Sequence, residues 1–265
     1  MINMENEIKK FFELSNFNHL LSYADIKEGK IVIEKFSEHV LRCIDHWNAL
    51  KKRILLSIAR VLDQPVGKVK LVIPLTILLH DTGKLTSKYQ EYLKSKQLGK
   101  AASVGFRHEV VSAYVLLNCM RQIGFEEEFI WTATGAVLFH HEALLQQNLR
   151  KKVSDFVGPL HNKYPDGKVY FVKGTKDLIE KLIKTELNLI IDFQEELSIK
   201  NLKSEFVNMF QFYDPYNPVD LHVRRLRVSA IQHIINVCDN RSAYEVRNGK
   251  SSPFIDEVLN GGWIE

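Results

Sequence analysis

Apolar residues recur at offsets of three and four over most of the chain, the period of an α-helix. Between Val40 and Ala59 one face collects Val40, Cys43, Ile44, Trp47, Leu50, Ile54, Leu55 and Ile58. Ser37 stands ahead of this run as an N-cap. The stretch 1–24 carries Ile8, Phe11, Phe12, Leu14, Leu20 and Leu21 and reads as a short helix and a turn. Residues 68–81 are almost continuously apolar up to His80-Asp81, with Pro74 as a kink or an effective start. Lys84–Gln97 reads as a basic amphipathic segment. Helical patterning returns from Phe106-Arg107-His108-Glu109 to Gly124, over Glu126–Phe139, over 177–211 and from about Asp220 to Ala243. On the last of these Val228, Ile231, Ile235 and Asp239 share one face.

Two stretches depart from this pattern. Residues 146–176 hold Gly158-Pro159, Pro165-Asp166-Gly167, Gly174 and a β-like Val169-Tyr170-Phe171-Val172, and read as an insertion or cap loop with a short strand or hairpin. The tail 248–265 reads as irregular. The fold expected is all-α, a helical bundle with a small irregular or β insertion, formed as one domain over residues 1–265.

Composition changes this picture little. Of 265 residues 45% are hydrophobic and 26% charged, the balance of an ordinary globular protein. The net charge of +4 tolerates a nucleic-acid partner without requiring one. Cys43, Cys119 and Cys238 are far apart, lack C-x-x-C spacing and read as small core residues in a reducing compartment. The N-terminus lacks signal-peptide shape, and no apolar run approaches the roughly 18 residues that span a bilayer, so a cytoplasmic protein is expected.

The informative residues are polar ones on apolar faces: His39, His80, Asp81, His108, His140, His141 and Asp239, from five helical segments. A histidine taken singly is more often a satisfied core or cap residue. Seven nitrogen and oxygen donors brought together by a bundle are too many for one closed tetrahedral zinc and suit two metals with open positions for water. His19, His46, His161, His222 and His233 fit no such set and read as structural. Glu109 and Glu142 suit an orienting role beside ligand histidines. Lys84 reads either as a group for phosphate charge or as a solvated residue at a helix start.

The order of a histidine, a His-Asp pair, a histidine, a doubled histidine and a late aspartate, with Lys84 three residues after Asp81, resembles the HD superfamily of metal-dependent phosphohydrolases. More narrowly it is similar to the stand-alone HD nuclease of type I CRISPR interference, through Glu38-His39, His80-Asp81-Thr82-Gly83-Lys84, Arg107-His108-Glu109, His140-His141 and Asp239. The match runs from about residue 37 to 243. The resemblance implies one divalent metal on His39, His80, Asp81 and Asp239, and a second on His108, His140 and His141 with Asp81 bridging. Mn, Mg, Ni, Co, Fe or Zn are all compatible with such donors. It implies catalytic roles for Asp81, Lys84 and, in support, Arg107. The implied substrate is single-stranded DNA. No phosphate-loop motif is present for a motor, so a separate helicase subunit and the CRISPR interference complex are the implied partners. The basic residues of 150–176 read first as a solvated face and second as a DNA contact. An HD-type phosphohydrolase of nucleotides or cyclic nucleotides is the first alternative, and a non-catalytic HD binding module the second.

Overall fold

A β-hairpin feeds directly into the first long helix, and helices make up most of the remaining described chain. The computed structural model describes residues 14–27, 29–141, 152–213 and 218–247. Strands β1 (Leu21–Lys27) and β2 (Lys30–Lys35) pair antiparallel, with Ile26 opposite Ile31 and Ala24 opposite Ile33. Helix α1 (Phe36–Leu62) is followed by α2 (Val66–Leu79), a 3-10 turn (Thr82–Leu85) and α3 (Ser87–Gln97). Next come α4 (His108–Ile123), α5 (Glu127–Leu138) and α6 (Val153–Lys163). Strand β3 (Lys168–Tyr170), α7 (Thr175–Leu187), β4 (Glu196–Ser198), α8 (Ile199–Phe212) and α9 (Pro218–Arg247) complete the described chain. Helix α9 lies along α1 and also touches α2 and α5, while α4 and α5 pack on each other.

The core explains why α2 carries the least polar sequence. From Val72 to Leu79 every residue is buried, so this helix has no solvent face there and its apolar pattern runs all round. Val110, Val111, Leu116 and Leu117 of α4, Ile130, Ala133 and Val137 of α5, and Val228, Ile231 and Ile235 of α9 close over it. Gly124 ends α4 in the left-handed conformation at φ 87°, its N–H reaching the Met120 and Arg121 carbonyls. No helix among the described residues is long and apolar enough to cross a membrane.

The all-α expectation is met, with four local differences. Leu21 opens a strand rather than belonging to a helix and turn, and it packs with Ala24 of β1 against Leu93 of α3. Ser37 is not an N-cap: β2 joins α1 without a turn, the cap position falls on Lys35, and Ser37 is buried in the first turn. Pro74 is neither a start nor a break. It lies well inside α2, and the carbonyl it leaves unpaired belongs to Lys70, which faces solvent. Lys84 starts no helix: it sits in the 3-10 turn, and α3 begins at Ser87.

The stretch 146–176 is more ordered than an insertion loop where it is described. Helix α6 includes Gly158-Pro159 and buries Phe156, Val157 and Leu160 in the main core. Strand β3 finds its partner in β4, across the whole of α7, and not in a local hairpin. The expected N-terminal helix over Ile8, Phe11 and Phe12, residues 146–151, most of the Tyr213–Pro218 break and the tail 248–265 lie outside the described residues.

Candidate metal centre

The apolar stiffness of α2 delivers the first pair of site residues. His80 follows the last residue of that helix, and Asp81 opens the 3-10 turn at φ −110°, ψ 5°. Gly83 in the turn is required by space. A β-carbon there would stand 2.0 Å from the His108 carbonyl oxygen, so this glycine lets the turn lie directly on the start of α4. The Gly83 N–H donates to Ser112 Oγ at 2.8 Å, fixing the same contact.

Around this junction the bundle gathers all seven expected donors. His39 Nε2 lies 3.4 Å from Asp81 Oδ2 and 3.2 Å from Asp239 Oδ1. His80 Nε2 lies 3.6 Å from Asp81 Oδ2 and 4.0 Å from Asp239 Oδ1. On the other side of the same carboxylate, His108 Nε2 is 2.9 Å from Asp81 Oδ1 and His140 Nε2 is 3.9 Å from it. The His141 ring lies 3.9 Å from that of His140 and 5.3 Å from that of His108, centre to centre. One donor atom from each of His39, His80, Asp81 and Asp239 falls within 4.8 Å of the others, and the same holds for Asp81, His108, His140 and His141. Asp81 thus turns one oxygen toward each set.

The residues fit cations, by a feature independent of their identity. His80 Nδ1 meets the Ile77 carbonyl and His140 Nδ1 the Val137 carbonyl, each at 2.7 Å. A carbonyl only accepts, so both Nδ1 atoms carry the proton and both Nε2 atoms present a lone pair. Both carbonyls lie in the last turn of their helices. Both Nε2 atoms are buried and find no hydrogen-bond partner among the described residues. Such an atom is costly unless it meets a ligand, and a divalent cation is the ligand that two converging imidazoles and a carboxylate accept.

The electrostatics follow from burial and neighbours. Burial alone would raise the Asp81 carboxyl, but Lys84, His80, His108 and His39 outweigh it and hold Asp81 well below the usual carboxylate range. Asp239 behaves likewise, with His39 and His80 overcoming its burial. His39 is raised well above 6.5, because Cys43, Asp239 and Asp81 override the cost of burying its charge. His140 moves the opposite way: burial, then His141 and His80, keep it neutral. His141, open to solvent on one edge and ringed by protein on the others, is pulled down to about 4, first by desolvation and then by His108. Glu109 falls to about 2, where burial is outweighed by His108, His140, His141 and Arg107.

Lys84 is buried, not solvated, with Nζ 2.6 Å from Asp81 Oδ2. Arg107 reaches Glu109 Oε1 at 3.2 Å and the Leu138 carbonyl at 3.3 Å, with its guanidinium 5.6 Å from the centre of the Phe156 ring. It ties the start of α4 to the end of α5, which carries His140 and His141. His46 pairs with Glu245 at 3.1 Å, away from the donors. His19 meets the Lys173 carbonyl at 3.2 Å. Glu142, Arg150 and Lys151 lie outside the described residues. Lys152, Lys163, Lys168 and Lys173 are exposed, and Lys168 is paired with Glu196 at 2.7 Å. Tyr164 and Phe171 pack inward.

Three residues of the centre escape a search for polar residues in helical register. Glu34 on β2 meets His39 Nδ1 at 3.0 Å and receives Arg42 Nη2 at 2.5 Å. Ser242 Oγ stands 3.1 Å from the same nitrogen. Cys43 Sγ stands 3.8 Å from His39 Nε2. The signal for Glu34 was its place five residues before His39; nothing in the sequence marks it as buried.

Comparison with known proteins points the same way. No family model matches the chain. It is 28% identical over 232 residues to the CRISPR-associated endonuclease Cas3-HD of Pyrococcus furiosus, covering 84% of this chain and 92% of that one. It is also 28% identical over 232 residues to the Cas3-HD endonuclease of Methanocaldococcus jannaschii, covering 84% and 90%. Among solved structures, the Cas3 HD domain protein of Methanocaldococcus jannaschii superimposes with a TM-score of 0.56 at 21% identity, covering 76% of this chain and 95% of that one. The chain thus has the helical fold of the Cas3 HD domain protein of Methanocaldococcus jannaschii and is similar in sequence to the CRISPR-associated Cas3-HD endonucleases.

Proposed function

We propose that the chain is a metal-dependent nuclease of CRISPR interference that hydrolyses phosphodiesters of single-stranded DNA. The observation that carries this reading is the division of Asp81 between two donor sets, Oδ2 toward His39 and His80 and Oδ1 toward His108 and His140. When bound, two divalent ions would supply Lewis acidity at the phosphoryl oxygens and an activated water.

The chain's own residues do the rest. His39, His80, Asp81 and Asp239 would hold the first ion, and His108, His140 and His141 with Asp81 would hold the second. Burial of the first set excludes water from its far side. The second set opens to solvent at His141, which makes that edge the approach for a phosphate. Lys84 Nζ, 2.6 Å from Asp81 Oδ2, would offer its charge to the phosphoryl oxygens beside that carboxylate. Arg107 lends its charge from the same rim while holding α4 to α5. The likeness to CRISPR-associated endonucleases supports a role in CRISPR interference, where a separate helicase subunit would supply the strand and the exposed lysines of 152–173 would follow its backbone in the cytoplasm.

The test is a metal-swap cleavage assay on the purified chain. Circular single-stranded DNA, duplex DNA, RNA, deoxynucleotides and cyclic nucleotides are each offered with Mg, Mn, Co, Ni or Zn. Metal-dependent loss of the single-stranded circle supports the reading. Turnover of nucleotides with every polymer intact replaces it by a small-molecule phosphohydrolase. Silence on all substrates with metal bound replaces it by a binding module.

A further inference from the structure

Cys43 lies one helical turn after His39 on α1, so the two side chains share a face. Its sulfur is 3.8 Å from His39 Nε2. One ring nitrogen each from His39 and His80, together with Cys43 Sγ, falls within 4.8 Å of the others. All three residues are buried, and His80 Nε2 has no hydrogen-bond partner among the described residues. Metal bonds of about 2.3 Å to sulfur and 2.0–2.1 Å to nitrogen put the two atoms of a tetrahedral site about 3.5 Å apart, close to the observed separation.

The same two imidazoles therefore face two kinds of third donor. Toward Asp81 and Asp239 they belong to a set of two nitrogens and two oxygens that accepts Mn; toward Cys43 they belong to a sulfur-containing set that suits thiophilic cations. We propose that His39, His80 and Cys43 form a second, overlapping cation position that captures ions such as Zn2+ or Cd2+ and competes with the catalytic metal. Because His39 and His80 are shared, the two positions exclude each other. An ion drawn to Cys43 is withdrawn from Asp81, the carboxylate that joins the two halves of the centre, so thiophilic ions inhibit. On binding, the S–H bond breaks, its electron pair forms the bond to the cation, and the proton leaves to the buffer. This inference rests on the metal-dependent reading of the centre.

The experiment is a Cd2+ and Mn2+ titration of the full chain and of its Cys43→Ser and Cys43→Ala variants, followed by ultraviolet absorption and calorimetry. The expected result is a thiolate-to-metal charge-transfer band on the parent chain that both variants lack and Cys119→Ala keeps. Cadmium affinity should fall on the order of tenfold or more in the Cys43 variants while manganese affinity changes by less than about twofold. Manganese binding and the far-ultraviolet dichroism report that each variant is folded; serine and alanine between them cover a loss of folding in either. The same band and affinity with and without Cys43 overturn the proposal. Cadmium that binds without a charge-transfer band overturns it too, and leaves the metal centre standing. Failure to take up either cation overturns both.

Discussion

Glu34 Oε1 lies 3.0 Å from His39 Nδ1, in a pocket where neither side chain is exposed. The same carboxylate receives Arg42, and Ser242 donates to the His39 carbonyl at 3.2 Å. A carboxylate behind a ligand imidazole fixes the ring and raises its basicity toward a cation. Glu34→Gln keeps the shape and removes the charge. Its manganese affinity should fall roughly 10–100-fold, read by calorimetric titration, with the fold intact. An unchanged affinity would return Glu34 to a purely structural pairing with Arg42.

Asp81 and Lys84 form a buried pair, so each restrains what can be learned from the other. Asp81→Asn removes the carboxylate from this buried pair, at a cost of about 3–5 kcal/mol. The single variant should therefore melt well below the parent as well as fail to cleave. Adding Lys84→Met should recover most of the melting temperature and none of the cleavage. A single variant as stable as the parent would mean that the Asp81–Lys84 pair contributes no net stability.

Lys84→Met alone separates charge stabilisation from metal retention. Removing a cation beside Asp81 takes away repulsion toward a bound metal, so affinity should hold or rise. Cleavage should fall by about 100–1,000-fold, the usual effect of losing one group aimed at developing charge. A parallel loss of metal and activity would instead make Lys84 a support for the Asp81 geometry.

The helices were readable from their 3.6-residue period, and with them His39, His108 and Asp239; His80, Asp81, His140 and His141 fall just past helix ends and were readable from the order of their motifs. A histidine or aspartate on an apolar helical face conflicts with its surroundings, and Asp239 among Val228, Ile231 and Ile235 shows that conflict in sequence alone. Glu34 shows none. It lies in a two-stranded hairpin whose other residues include the exposed Ile31 and Ile33, and its burial is created by Arg42 and His39 arriving from another element. Cys43 was legible as buried but not as a neighbour of His80, since that contact joins α1 to the end of α2. Helix α6 was hidden by Gly158-Pro159, which reads as a break until Phe156, Val157 and Leu160 are seen in the core. The β3–β4 pairing joins Tyr170 to Glu196 across a whole helix, and no local pattern announces it.

Gly83→Ala tests the junction that positions Asp81 against His108. The added methyl would meet the His108 carbonyl at 2.0 Å, a backbone atom that cannot swing aside. The turn and α4 must separate, at a cost on the order of 1–3 kcal/mol or more. The variant should melt lower, and its second-ion affinity should fall further than its first, because His108 belongs to one set only. Equal loss at both positions would show that the whole bundle end has loosened.

The centre also sets how the metal-free chain responds to pH, and its histidines carry opposite signs. His140 and His141 have folded values below 6.5, that of His141 at about 4. Between 6.5 and 4 the unfolded chain takes up protons on these rings that the folded chain refuses, so their contribution is present above 6.5 and is lost as pH falls through that window. His39 is raised above 6.5, so its contribution is complete below 6.5 and is lost as pH rises through its folded value. Asp81 and Asp239 act only at still lower pH, since both start from 3.8 and are lowered. Chelator-treated protein should therefore be most stable near pH 6.5 and decline on both sides, in urea unfolding followed from about pH 4.5 to 9. Manganese should flatten the alkaline side in particular, because the cation replaces the imidazolium charge that His39 gives up there. A metal-free profile without an alkaline decline would mean that His39 is not held charged between Asp81 and Asp239.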